Sequence, residues 1–149
     1  MSKKLVAWFS VSGVTARVAR EIAIVEKADC FEIRPEVPFF DGSFDHPLTQ
    51  QKAGAFAQPL EMVRWAPSAV NKQPWRVVLD GKSGHFYERK SKGYVDATGW
   101  DIQKIDLGIA LCHFVCGLEE QGVKWCLVVA DPGLAVPEST EYIATIEME

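Results

Sequence analysis

Two short runs of the sequence carry side chains whose types and spacing suit chemistry. In "SVSGVT" (residues 10–15) small residues follow an apolar run and precede a helical pattern. Backbone N–H groups and the hydroxyls of Ser10, Ser12 and Thr15, with Gly13 among them, can converge there at a helix N-terminus, where the dipole favours an anion such as a phosphate. In "RWAPSAVNKQPWRVV" (residues 64–78) a helix is expected to stop at Pro67, and a small polar run then enters an apolar strand through Gln73, Pro74 and Trp75. Asn71 gives that elbow an amide, a donor and an acceptor side by side.

Other chemistries find less support. Ser12 and Ser68 lack a G-x-S-x-G elbow, and His46, His85 and His113 have no sequence context tying them to a nucleophile. His113 falls in what reads as a buried helix, as a satisfied core histidine. Cys112 and Cys116 stand at i, i+4 in the same helix, and with Cys30 and Cys126 they offer no paired zinc spacing, so buried reduced thiols and no metal site are expected. No catalytic side chain is assigned.

The elements that must position these runs fit one well-cored domain, and a stable two-domain protein is not expected from 149 residues. No stretch approaches the ~18 apolar residues of a membrane span. "LVAWFSV" is shorter than a signal core and lacks a processing site, so a cytoplasmic protein is expected. The net charge is −4 and the 16 basic residues are scattered, with one cluster, "ERKSKG", that reads as a solvated turn, so no nucleic-acid partner is expected.

The hydropathy pattern predicts a strand over residues 4–10, a helix beginning near Thr15 with Val18, Ile22 and Val25 at helical spacing, and a strand over 29–35. Composition changes between residues 36 and 58, which makes that stretch the best boundary. A helix is expected from Thr49, its N-cap, to Ala66. "RVVLD" and "HFYE" predict a hairpin turning through Asp80, Gly81 and Gly84. Residues 101–122 predict a helix with two apolar stripes, one at Ile102, Ile105, Ile109, Cys112 and Cys116, the other at Leu107, Leu111, Phe114 and Leu118. Gly108 inside it costs ~1 kcal/mol against alanine, which a close backbone approach across a dimer interface would explain. "KWCLVVAD" and "TEYIATIEM" read as strands, the second with one wet face.

Two resemblances give these patterns names. "AWFSVSGVTARVAREIA" followed by "ADCFEIRPEVPF" resembles the start of a flavodoxin over about residues 4–40. That likeness implies an FMN phosphate on Ser10, Ser12, Gly13 and Thr15. The later flavodoxin strands and ring-binding loops have no counterpart. "LEMVRWAPSAVNKQPWRVV", with "HFYE", "DIQKIDLGIALCHFVCGLEEQG" and "EYIATI" in order behind it, is similar to the C-terminal half of a group of FMN-dependent nitroreductases over about residues 44–146. It implies an elbow lying against the flavin at a dimer interface, with Pro67, Ser68 and Asn71 facing the ring and the Asn71 amide matching its N3 and O4 edge. The early Arg-x-Ser-x-Arg segment that usually grips the phosphate in that family is absent.

The expected fold is therefore α+β, a nitroreductase-like half-fold over 44–149 with a flavodoxin-like β-α-β N-terminal segment over 1–43. It is expected to dimerise through the helix at 101–122. The implied activity is FMN-dependent NAD(P)H oxidoreduction toward a small nitro or quinone electron acceptor. The alternative is a non-catalytic fusion of two incomplete flavoprotein halves, a folded homodimer with weak or no FMN binding. A flavodoxin-like electron carrier ranks third, because its ring loops are missing.

Overall fold

The computed structural model describes residues 4–8, 14–32, 38–95 and 97–149. The chain divides into two compact units, Met1–Glu36 and Val37–Glu149.

The first unit is a β-α-β turn of chain: β1 (Leu5–Trp8), α1 (Val14–Glu26) and β2 (Asp29–Glu32). The two strands pair in parallel, Leu5 opposite Asp29, so a crossover must join them, and α1 supplies it. The buried face of α1 is made of Ala16, Ala19 and Ala23, at i, i+3 and i+7, with Ala16 and Ala19 packed with Trp8. Val18, Ile22 and Val25 share helical spacing as the sequence suggested, yet all three are exposed. Arg20 covers the indole of Trp8, 5.8 Å from the ring centroid.

The second unit is a six-stranded sheet with helices on one face. Its strands are β3 (Phe39–Asp41), β4 (Ser43–Pro47), β5 (Trp75–Asp80), β6 (Ser83–Arg89), β7 (Trp125–Val128) and β8 (Thr140–Met148), in the order β4-β3-β5-β6-β8-β7. Among the described strands of this sheet only β3 and β5 pair in parallel, and the connection between them carries α2 (Gln50–Ala53), a short 3-10 turn and α3 (Ala57–Trp65). The remaining helix, α4 (Gln103–Glu120), joins β6 to β7.

The core lies between the sheet and α3 with α4. Phe39, Trp75, Val77, Leu79, Phe86 and Ile146 from the strands meet Leu60 and Val63 of α3 and Leu107, Ala110, Phe114 and Leu118 of α4. Phe114 stacks on Phe56 at 5.7 Å and meets Phe86 edge-on at 5.1 Å. Gly84 makes room for it: a β-carbon there would stand 3.2 Å from the Phe114 ring.

Several expectations need correction. The division between the units falls at Glu36 and Val37, where the stretch read as a boundary begins, so two compact units stand where one domain was expected; the rest of that stretch holds β3 and β4, with a tight turn at Gly42 (φ 68°). The helix expected from Thr49 to Ala66 is interrupted, because Gly54 takes φ 53° and starts a 3-10 turn. Thr49 occupies the cap position without a side-chain bond, and Pro59 is tolerated because it falls in the first turn of α3. The hairpin turns on Gly81 and Lys82, while Gly84 is already strand. The cysteines are exposed, not buried, since Cys112 and Cys116 occupy the outer face of α4 with Ile105 and Gly108. Close helix approach falls at Gly117, where a β-carbon would come 2.8 Å from Pro59 Cα; Gly108 has open space around it. Finally β8 has no wet face at its centre, where Ala144, Thr145 and Ile146 are all buried.

Candidate functional site

The elbow after α3 is built by a sequence of local constraints. Ala66 takes an extended ψ of 131°, as a residue before proline must, which ends α3. Asn71 N–H then bonds Ser68 O and Lys72 N–H bonds Ala69 O, at 3.0 and 3.1 Å, closing a 3-10 turn over Ala69–Asn71. Val70 (φ 52°) and Asn71 (φ 53°) within this turn, and Gln73 (φ 47°) just after it, are left-handed. Asparagine tolerates that region; a β-branched valine there stores strain of ~1–3 kcal/mol.

The strain is held by side chains around the turn. Asp106, buried in the first turn of α4, accepts Ala69 N–H through Oδ1 and Oδ2 at 3.1 and 3.2 Å. Ser68 Oγ accepts Gln73 N–H at 2.8 Å, and Gln73 Nε2 donates to Arg64 O at 3.3 Å. Arg76 Nη1 donates to Gln73 O at 3.1 Å and Trp75 O at 2.7 Å. Burial draws the pKa of that guanidinium down.

What the elbow presents outward is therefore limited and specific. Pro67, Val70 and Asn71 are exposed, Val70 by 85%, and Trp65 at the end of α3 is 76% exposed. Of the three expected ring-facing residues, Pro67 and Asn71 point to an open surface, whereas the half-buried Ser68 spends its acceptor on the loop itself. The phosphate-side residues Ser10, Ser12 and Gly13 lie outside the described residues. Thr15 is exposed in the first turn of α1.

Sequence reasoning missed Asp106, although an acid in a first helical turn is a recognisable signal. It also missed a buried polar chain across β6 and β8. His85 Nδ1 and Tyr142 Oη each lie 2.8 Å from Thr145 Oγ1, and burial lowers the pKa of His85. The neighbouring Tyr87 is fully buried and its pKa is pushed up to about 12, first by burial.

Comparison with known proteins follows the same division of the chain. A family model described as "Putative TM nitroreductase" matches residues 47–118, a span that holds the elbow and Asp106. A flavodoxin family model matches residues 3–62. A solved nitroreductase family protein from Clostridium difficile 630 superposes with a TM-score of 0.55 at 18% identity, covering 77% of this chain and 78% of its own. Another, from Clostridium novyi NT, gives 0.51 at 16% identity, covering 85% and 82%. The fold is that of the nitroreductases. No curated protein matches the sequence. The two family matches overlap over residues 47–62, so α2 and the start of α3 belong to both the nitroreductase and the flavodoxin likeness. Among the described residues no helix is long and apolar enough to cross a membrane.

Proposed function

We propose that this protein is an FMN-dependent oxidoreductase of nitroreductase type, using NAD(P)H to reduce a small nitro or quinone acceptor. The observation that carries the reading is the elbow. A left-handed turn pinned by Asp106 displays the Asn71 amide beside exposed Pro67 and Val70, inside the stretch matched by the nitroreductase model. An amide that both donates and accepts, flanked by apolar surface, fits the polar edge and flat face of a flavin ring. Asn71 and Pro67 would hold the ring, with Ser68 keeping the loop closed beneath them. Ser10, Ser12, Gly13 and Thr15 are the residues proposed for the phosphate.

FMN, when bound, would supply the redox chemistry between NAD(P)H and the acceptor, and the chain would supply binding and orientation. The site is proposed to be completed in a homodimer through the outer face of α4, where Ile105, Gly108, Cys112 and Cys116 are exposed.

One observation favours the non-catalytic alternative: the chain has no Arg-x-Ser-x-Arg segment to grip the phosphate. A flavin that loses its phosphate grip loses much of its binding energy.

The two readings part on purification. The enzyme reading expects a yellow protein, or a colourless one whose thermal midpoint rises on FMN addition, with NAD(P)H consumed when a nitroaromatic is present. A colourless protein with no shift at saturating FMN rejects it. Replacing Asn71 with alanine, and separately Ser12 with Thr15 by alanine, then tests the two half-sites; unchanged FMN affinity in both refutes the residue assignment.

A further inference from the structure

Glu88 lies at the end of β6, completely buried, and among the described residues no hydrogen bond reaches either of its carboxyl oxygens. Asp101, just before α4, is buried within hydrogen-bonding reach of it, and its Oδ2 is likewise unbonded. Two ionised carboxylates in contact, with three of their four oxygens lacking a hydrogen bond, are costly in a protein interior. A proton removes the difficulty, because a protonated Glu88 donates to Asp101 and one hydrogen bond serves both.

The charges facing the pair leave room for that proton. From α4, Lys104 Nζ stands 3.5 Å from Glu88 Oε2 but is closer to Glu141 Oε1, at 2.9 Å. From β8, Glu141 also pairs with Lys90, at the start of the loop after β6. On the β5 side the neighbour of Glu88 is Trp75, which is uncharged. Among the described residues, three carboxylates, Glu88, Asp101 and Glu141, thus face two lysines, Lys90 and Lys104. One added proton balances the set.

We propose that Glu88 and Asp101 share this proton, and that it is a pH-sensitive clasp fastening the loop over residues 90–102 and the first turn of α4 to the sheet. Both ends of the loop meet at the pair. Asp101 Oδ1 accepts Gln103 N–H at 3.0 Å, and the fully buried Gln103 accepts Ser91 N–H at 2.7 Å. Ile102 N–H bonds Tyr94 O, and Val95 bridges Asp101. One turn further along α4 comes Asp106, which grips the elbow. An open clasp therefore loosens the helix turn that holds the proposed ring-binding surface.

Burial, then Asp101, push the Glu88 pKa up to about 7 from an ordinary 4.5. A raised acid pKa means the folded state holds the proton more tightly. The clasp's contribution is full below the ordinary value, falls as pH rises through that window, and is gone above about 7.

The test compares the full-length protein with Glu88→Gln and Asp101→Asn between about pH 5 and pH 8, the span that brackets the titration. Glutamine is a permanent donor to Asp101. The thermal midpoint of Glu88→Gln should gain on the parent as pH rises and then run parallel to it, and amide exchange over residues 90–105 should slow in the variant at the alkaline end. Asp101→Asn should move the parent's fall in stability to lower pH. A gap between parent and Glu88→Gln that does not change with pH, or one that changes without altered exchange in that segment, overturns the proposal. Should the variants fail to fold, carbon-13 NMR of the parent's glutamate carboxyls decides: one must titrate near neutrality, and its absence refutes the shared proton.

Discussion

Asp106 on α4 holds Ala69 on the elbow, taking one amide proton between its two carboxylate oxygens at 3.1 and 3.2 Å. The contact joins residues 37 positions apart and is half-shielded from water. A hydrogen bond to a charged acceptor contributes ~1.5–3 kcal/mol, and its removal also strands the amide. Asp106→Ala should therefore lower the free energy of unfolding by about 2 kcal/mol. Asp106→Asn, which keeps one acceptor, should lower it less. Denaturant unfolding of both variants checks this; equal losses would show that the carboxylate's packing, not its bond to Ala69, is what matters.

Val70 is the most exposed large apolar residue described, and its backbone is left-handed. Val70→Gly removes the steric penalty of a β-branched residue at positive φ and loses almost no packing. The expected result is a gain of about 1 kcal/mol, from relieved strain less the entropy glycine costs the folded state. A loss of stability in thermal unfolding would contradict it.

The two glycines of α4 should respond in opposite directions. Gly117→Ala drives a methyl into the backbone of Pro59 and should cost about 1–3 kcal/mol through overpacking of α3 against α4. Gly108→Ala meets nothing and should stabilise the isolated fold by about 1 kcal/mol through helix propensity. Chemical denaturation at low protein concentration reads both.

Cys112 and Cys116 are free, exposed and one helical turn apart. In the dilute monomer they should react readily with a thiol reagent. If α4 forms the proposed dimer contact, their reaction should slow as protein concentration rises, while Cys30 and Cys126 keep their rates. Concentration-independent kinetics at all four would remove α4 from the interface.

Local pattern carried much of this architecture. The hairpin of β5 and β6 was readable because alternating apolar residues flank a turn, and α4 because its stripe at Leu107, Leu111, Phe114 and Leu118 runs over several turns. What escaped was whatever depends on partners distant in sequence. β3 and β4 are three and five residues long and gain their stability from pairing with β5 and with each other, so no strand was legible there. The buried face of α1 went to alanines beside Trp8, a choice made by packing distance rather than hydrophobicity. The elbow itself was legible from the motif, and Pro67 and Asn71 are exposed on it, whereas the grip of Asp106 was not, since no local rule says which amide a helix carboxylate will find. Thr145 looked solvated by alternation, yet it is buried, with His85 and Tyr142 both 2.8 Å from its hydroxyl.

Phe56 and Leu60, which help to fill the interior beneath the sheet, lie in the segment shared by both family likenesses, and Gly117 closes against Pro59 in that same segment. The segment that both likenesses share is thus a load of buried side chains and not a tether. Any insertion or deletion there must preserve the phase of α3 to the residue, because a shift of one position would rotate Leu60 and Val63 out of the interior by ~100°. A change of chain length between β3 and β5 is therefore felt in the packed interior and not at a surface.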